Sequence, residues 1–333
     1  MMELLQSKVC LSNLPIAEQP VVFNGKRGQL RGILTSPVVD KGIHCKRGVV
    51  FSHGWSGNRC GPTGLYTDLA RGLALQGYIC LRFDFSGRGE SDGAGLETSL
   101  MTMGDDFVDA IHFFRQETGI VAPYACGLCS GGNVVIGCLN CLPELAGLVM
   151  LSVYPFSDGD QFQRDAHRTF YFIGIYICKA CSLETWQRLF QGQLHFKNIL
   201  NVLFGHFFRH GLNKKKETAG GSNKKASVSG QSRKAAPEES RGVLEKKEAP
   251  VRYLRELRAD LPMLMLYGHR DPDAKAALKY FGDYSVAHAL PVEYQEIEDA
   301  NHNFSSVSWR TELLKRVLVF LQKDRKSVVH EDS

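Results

Sequence analysis

The sequence predicts an α/β protein: a mostly parallel, eight-stranded sheet with helices on both faces and an inserted helical cap. Three observations carry that prediction. Short apolar runs alternate with segments of helical periodicity along most of the chain, which is the pattern of a parallel sheet covered on both sides. The alternation is broken once, by more than a hundred residues between a strand at 148–153 and a strand at 262–267. The composition, 44% apolar and 23% charged over 333 residues, is that of a globular chain and excludes disordered, collagen-like and coiled-coil proteins.

The elements follow in order. Residues 21–23 and 29–35 read as a hairpin around Asn24-Gly25 and Gly28. Residues 48–52 (GVVFS) are a buried strand, and a helix over 62–76 carries Leu65, Leu69, Ala70 and Leu73 on one face. The next strand is 78–83. Leu100, Met103, Phe107, Ile111 and Phe114 then mark a long amphipathic helix. A strand at 121–127, a helix at 131–141 and strands at 148–153, 262–267 and 292–297 complete the sheet. Trp309, Leu313, Val317 and Leu321 define the terminal helix.

The long interval opens with an aromatic segment of helical spacing, in which Leu183, Trp186, Leu189 and Phe190 share one face and Phe196, Ile199, Leu200, Leu203 and Phe207 another. The chain is therefore expected to divide into core (1–154), helical cap (155–212), basic linker (213–250) and core again (251–333). The cap aromatics read as packing residues rather than a lipid site, and His195, His206 and His210 as surface or packing residues. The linker holds eight Lys, two Arg and five Glu, the whole net charge of +5, with almost no large apolar residue. Such a segment cannot bury enough surface to offset its ordering entropy, so it is expected to be disordered, with at most transient contact with an anionic membrane or polymer. With the rest of the chain balanced, no nucleic-acid partner is expected.

A core of this size needs no disulfides, so the ten irregularly spaced cysteines, with no apolar leader at the start, suggest a reducing, cytoplasmic setting. The longest apolar run, 169–178, falls short of the roughly 20 residues that span a bilayer. Three CxxC pairs (Cys126/Cys129, Cys138/Cys141, Cys178/Cys181) invite a metal reading, but the first straddles a strand end and the second lies on a helix. Metal knuckles need both thiols of a pair in a loop facing one point. No metal and no cofactor is expected.

The chemistry is concentrated in four loops, each after its own strand. Gly127-Leu128-Cys129-Ser130-Gly131 lies between strand and helix, and a strained turn there requires small residues two before and two after the nucleophile. Centring on Ser130 would put Leu128 at a small-residue position, so Cys129 is the candidate nucleophile. The N–H of Ser130, at the helix start, is expected to face an oxyanion. FSHGWSG (51–57) can aim a second N–H, that of Trp55, at the same place, with His53 bonding loop backbone. In YGHRDPD (267–273), Asp271 best fits the orienting acid, with Asp273 the fallback; in DANHNF (299–304), His302 fits the base. In DFSGRGESD (84–92), Gly87 and Gly89 permit a tight turn, and Arg88 and Asp92 are expected to pair. All these loops fall at the carboxyl ends of the strands, where α/β proteins place their sites.

With His53-Gly54, DFSGRGESD, GLCSGG, Gly268-His269-Arg270-Asp271 and Asn301-His302-Asn303-Phe304 in place, the chain resembles α/β-hydrolases of the serine-aminopeptidase-like (S33-type) branch over nearly all of 21–323. It is more weakly similar to hydrolases of exosortase and exopolysaccharide loci, some of which carry GLC at the elbow. Cysteine in place of serine departs from most relatives and is shared with dienelactone hydrolases and polyhydroxyalkanoate synthases. The resemblance implies an insertion at the family's usual point, and the departure from serine to cysteine argues against a peptidase. The expected function is cleavage of an ester or thioester of a small acyl substrate through a Cys129–His302–Asp271 triad and a covalent acyl-enzyme. The alternatives are an acyltransferase acting on a glycan or lipid, and a non-catalytic binding protein of the same fold.

Overall fold

The computed structural model describes residues 15–38, 47–95, 98–154, 254 and 261–323. All of them belong to one compact unit formed by Met1–Asp165 and Val243–Ser333. The expected cap (155–212) and basic linker (213–250) lie outside the described residues.

Eight strands form one sheet: β1 (Ile16–Gly25), β2 (Gly28–Pro37), β3 (Gly48–Ser52), β4 (Ile79–Phe83), β5 (Tyr124–Leu128), β6 (Gly147–Leu151), β7 (Met263–Gly268) and β8 (Val292–Ile297). Their order is β1-β2-β4-β3-β5-β6-β7-β8. β1 and β2 pair antiparallel, closed by a turn at Lys26-Arg27, and β2 pairs antiparallel to β4. Every pair from β4 to β8 is parallel. The expected mostly parallel eight-stranded sheet is observed.

The helices among the described residues are α1 (Leu65–Ala74), α2 (Leu100–Thr118), α3 (Ser130–Gly137), α4 (Ala274–Ala287) and α5 (Val307–Lys323). The period-two alternation of each strand distributes its side chains between two cores. Val50, Ala125, Met150 and Met265 pack with Phe107, Val134 and Phe281 on one face, from α2, α3 and α4. Val49, Phe51, Cys126 and Leu264 pack with Leu69 and Leu313 on the other, from α1 and α5. The fully buried β3 explains why GVVFS reads as one continuous apolar run. α2 starts on a reciprocal capping box, Thr102 N–H donating to Ser99 Oγ at 3.1 Å and Ser99 N–H to Thr102 Oγ1 at 2.7 Å. It stops at Gly119, φ 72°.

Element bounds shift: the helix expected over 62–76 runs from Leu65 to Ala74, and that expected over 131–141 stops at Gly137, with a separate 3₁₀ turn at Leu139–Cys141. β5 begins at Tyr124 rather than 121, because Val121 lies in an exposed turn ahead of Pro123, which has no N–H to give a ladder. α4 has no counterpart in the sequence reading: its buried face consists of Ala274, Ala277, Phe281 and Ser285, too few large apolar residues to show a helical period.

Candidate active site

The parallel strands end on one edge of the sheet, and the loops leaving β3, β5, β7 and β8 meet there. Cys129 occupies the turn from β5 into α3 at φ 53°, ψ −123°. A non-glycine residue with positive φ stores on the order of 1–3 kcal/mol of strain and persists only when its surroundings enforce it. Here the Cys129 N–H donates to Leu151 O of β6 at 2.9 Å, and the Gly132 N–H closes on Cys129 O at 3.1 Å. The flanking glycines are sterically obligatory. A Cβ on Gly127 would lie 2.5 Å from Gly132 Cα, and one on Gly131 would lie 2.2 Å from Ser52 O. Ser52 Oγ also donates to Gly131 O at 2.9 Å, tying the turn to β3. The strained residue is thus Cys129, and Ser130 is already helical.

Asp271 follows β7 in a turn closed by its own N–H on Gly268 O at 2.9 Å. Its carboxylate is fully buried; Oδ1 accepts the Asp273 N–H at 3.0 Å and Oδ2 faces His302 Nδ1 at 2.8 Å. Between the two acids left open by the sequence, Asp271 is the one hydrogen-bonded to the imidazole. His302 lies in the β8–α5 loop, which is held by Arg270 N–H on Ala300 O at 2.8 Å and by Asn301 Oδ1, which accepts from Asn303 and Ser305 N–H, each at 3.2 Å. Phe304, buried at φ 47°, anchors its far end. Burial opposes charge on His302, but hydrogen bonds from its ring to Asp271 and Cys129, and the charges of both, outweigh it and raise its pKa to about 10. Cysteine, histidine and aspartate from three loops therefore form one connected chain.

The β3 loop closes the site. His53, 1% exposed, faces Gly54 O through Nδ1 at 2.8 Å and accepts the Phe85 N–H through Nε2 at 3.3 Å. These bonds describe a neutral ring with its proton on Nδ1, and its role is to shape the loop backbone, as expected. Burial lowers its pKa to about 4, against the rise from the Gly54 bond. The unfolded chain, with an ordinary histidine near 6.5, takes up a proton first as pH falls. Stability is therefore full above pH 6.5 and is lost toward pH 4, by roughly 3 kcal/mol. Thermal melts across that window should show the decline in wild type and a flatter profile in His53→Gln; equal slopes would refute the assignment.

The Trp55 N–H donates to Ser130 Oγ at 2.6 Å. The expected second backbone donor is therefore already engaged by the side chain of the residue expected to supply the first. Ser130 opens α3, where a backbone N–H has no acceptor within the helix. Gly54 keeps the front of the turn open: a Cβ there would rest 3.6 Å from Ser130 Oγ and 3.8 Å from Cys129 Cβ. The sequence reading had no signal for the Trp55–Ser130 bond, which depends on how the β3 and β5 loops are juxtaposed.

The expected Arg88–Asp92 pair is not formed. Asp92 accepts the Gln29 N–H at 3.0 Å and lies 3.6 Å from Arg31, both on β2, while the Arg88 guanidinium stacks 5.5 Å from the Trp55 ring centroid. The rest of DFSGRGESD is structural: fully buried Asp84 bonds Arg59 and accepts the Glu90 N–H at 3.0 Å, and a Cβ on Gly89 would collide with that carboxylate. Cys126 and Cys138 are buried free thiols whose pKa values burial pushes up, in opposite cores. A cavity of about 220 Å³, lined by Tyr124, Met263 and Pro291 among others, lies at the opposite end of the strands and touches none of this machinery. No helix among the described residues is long and apolar enough to cross a membrane.

Residues 44–163 match the family model described as serine aminopeptidase, S33. No curated protein matches the chain. Among solved structures, the chain is similar to an esterase from Pyrococcus furiosus (TM-score 0.58, 18% identity, 93% of this chain and 92% of that one). It is also similar to Est1E from Butyrivibrio proteoclasticus with ferulic acid bound (TM-score 0.54, 12% identity, 92% and 99%). A third is a dienelactone hydrolase from Anabaena variabilis (TM-score 0.52, 13% identity, 91% and 95%). At these identities the likeness is one of fold, and it coincides with the strand order and the strained turn after β5, which the family match spans: the chain has the α/β-hydrolase fold.

Proposed function

We propose that this α/β-hydrolase cleaves an ester or thioester through a covalent acyl-enzyme on Cys129. The observation that supports this best is a single imidazole, His302, bonded through Nδ1 to buried Asp271 at 2.8 Å and hydrogen-bonded to the thiol at the strained turn. With the ring of His302 holding its proton up to about pH 10, Cys129 acts in this reading as the thiolate of a thiolate–imidazolium pair. The thiolate attacks the acyl carbon, a C–S bond forms, and the carbonyl π pair moves to oxygen. That oxygen develops its charge at the start of α3, beside the Ser130 N–H. When the intermediate collapses, the bond to the leaving group breaks and the departing oxygen or sulfur takes the imidazolium proton. The now neutral ring accepts a proton from water as it attacks the thioester, and the thiolate is released with its partner recharged. Asp271 holds the ring in the tautomer and charge state that this cycle needs. A mechanism that requires a reduced thiol fits a reducing, cytoplasmic setting.

Intact-mass spectrometry after incubation with p-nitrophenyl esters and a panel of acyl-CoAs tests the reading. An added acyl mass that maps to Cys129 is the expected result. No adduct from any donor on a folded sample would favour a binding protein of the same fold instead.

A further inference from the structure

The oxyanion donor that the β3 loop supplies is indirect. The Trp55 N–H, which the sequence led one to expect at a substrate carbonyl oxygen, instead donates to Ser130 Oγ at 2.6 Å. One N–H cannot point at two acceptors with good geometry. The hydroxyl that receives it retains a hydrogen of its own to give. Apart from that bond, Ser130 Oγ has no hydrogen-bond partner among the described residues. Its position is on the nucleophile's side of the turn, since Ser130 Oγ and Cys129 Cβ both come within 4 Å of the point in front of Gly54, at 3.6 and 3.8 Å. A hydroxyl that accepts from an amide becomes a stronger donor, because the two bonds polarise each other.

We propose that the Ser130 side chain is a catalytic residue: its hydroxyl, backed by the Trp55 N–H, is the second oxyanion donor alongside the Ser130 backbone N–H. One residue then supplies both bonds to the oxyanion, and Trp55 acts behind it as a positioning residue. No proton is transferred in this role. The hydroxyl hydrogen stays on Ser130 while the carbonyl π pair sits on the substrate oxygen, and the bond relaxes when the leaving group departs. The inference rests on the Cys129 acyl-enzyme reading.

The test is single-turnover acylation by p-nitrophenyl butyrate, followed by intact mass, in wild type, Ser130→Ala and Ser130→Thr, with thermal melts as the folding control. Losing one oxyanion donor typically costs about 10²–10³ in rate. Ser130→Ala should lose that much in the acylation rate with KM little changed, and Ser130→Thr, which keeps the hydroxyl, should recover most of it. Isotope-edited infrared spectra of the acyl-enzyme supply a second readout. The thioester carbonyl stretch should move to higher frequency in Ser130→Ala, as a hydrogen bond is lost, and return in Ser130→Thr. Acylation of Ser130→Ala at the wild-type rate or faster, with an unshifted carbonyl band, would mean that the hydroxyl only occupies the hole and that freeing the Trp55 N–H restores the donor. That outcome overturns the role of the hydroxyl and leaves the acyl-enzyme intact. A wild-type protein that forms no adduct overturns both.

Discussion

Cys129→Ala is expected to abolish turnover of short p-nitrophenyl esters, a loss on the order of 10⁵-fold or more, as when the nucleophile of an interlocked triad is removed. The size of the effect follows from the site's connectivity. The hydrogen bond from Cys129 is one of the effects that hold the proton on His302; without the thiol, His302 and Asp271 have no nucleophile to serve. Cys129→Ser is the informative companion. A hydroxyl does not ionise near neutral pH, so the ring would have to act as a general base, and proton transfer of that kind contributes about 10²–10⁴. Serine should therefore retain measurable activity, well below wild type, with an alkaline pH optimum. Iodoacetamide followed by peptide mapping should mark Cys129 ahead of buried Cys80, Cys126 and Cys138, whose thiols burial holds in the neutral form. If Cys129→Ala turns over at the wild-type rate, another nucleophile acts.

The second large effect concerns the proton on His302. With the ring's pKa at about 10, wild-type cleavage of alkyl esters, whose leaving group must be protonated, should hold through neutral pH and fall as the pH rises through 10. Burial alone would push that pKa down, and the hydrogen bond to Asp271 is the largest of the effects that raise it. In Asp271→Asn the alkaline limb should therefore move to lower pH, and at pH 7 alkyl-ester turnover should fall by about 10², less than the 10⁴ seen when a serine triad loses its acid. The difference arises because a free thiol ionises unaided near pH 8.5, at about that value. For the same reason p-nitrophenyl esters, whose leaving group needs no proton, should recover in Asp271→Asn as pH rises. His302→Ala should be more severe with alkyl esters, since no acid remains. An alkaline limb that stays in place in Asp271→Asn would show that the carboxylate does not set the charge on the ring.

Much of this protein was legible in its sequence, because hard local constraints leave marks there. β3 must be buried on both faces, and GVVFS is apolar throughout. The turn at Cys129 leaves no space for a Cβ at 127 or 131, and both positions are glycine. Spacing alone therefore centred the strained turn on Cys129 rather than Ser130, and each candidate partner could be assigned to the loop after its own strand. What the sequence could not specify depends on atoms brought together from separate loops. The buried face of α4 is too poor in large side chains to reveal its period. Asp92 bonds to β2 rather than Arg88 because of how its loop meets Gln29 and Arg31, which leaves Arg88 over Trp55. The engagement of the Trp55 N–H with Ser130 Oγ and the charge on His302 are likewise matters of ångström placement between chain segments that lie far apart in sequence. Residue type and spacing set which groups reach the edge of the sheet; only the folded chain sets which hydrogen bonds they make, because hydrogen-bond energies change steeply over distances that a one-dimensional pattern does not encode.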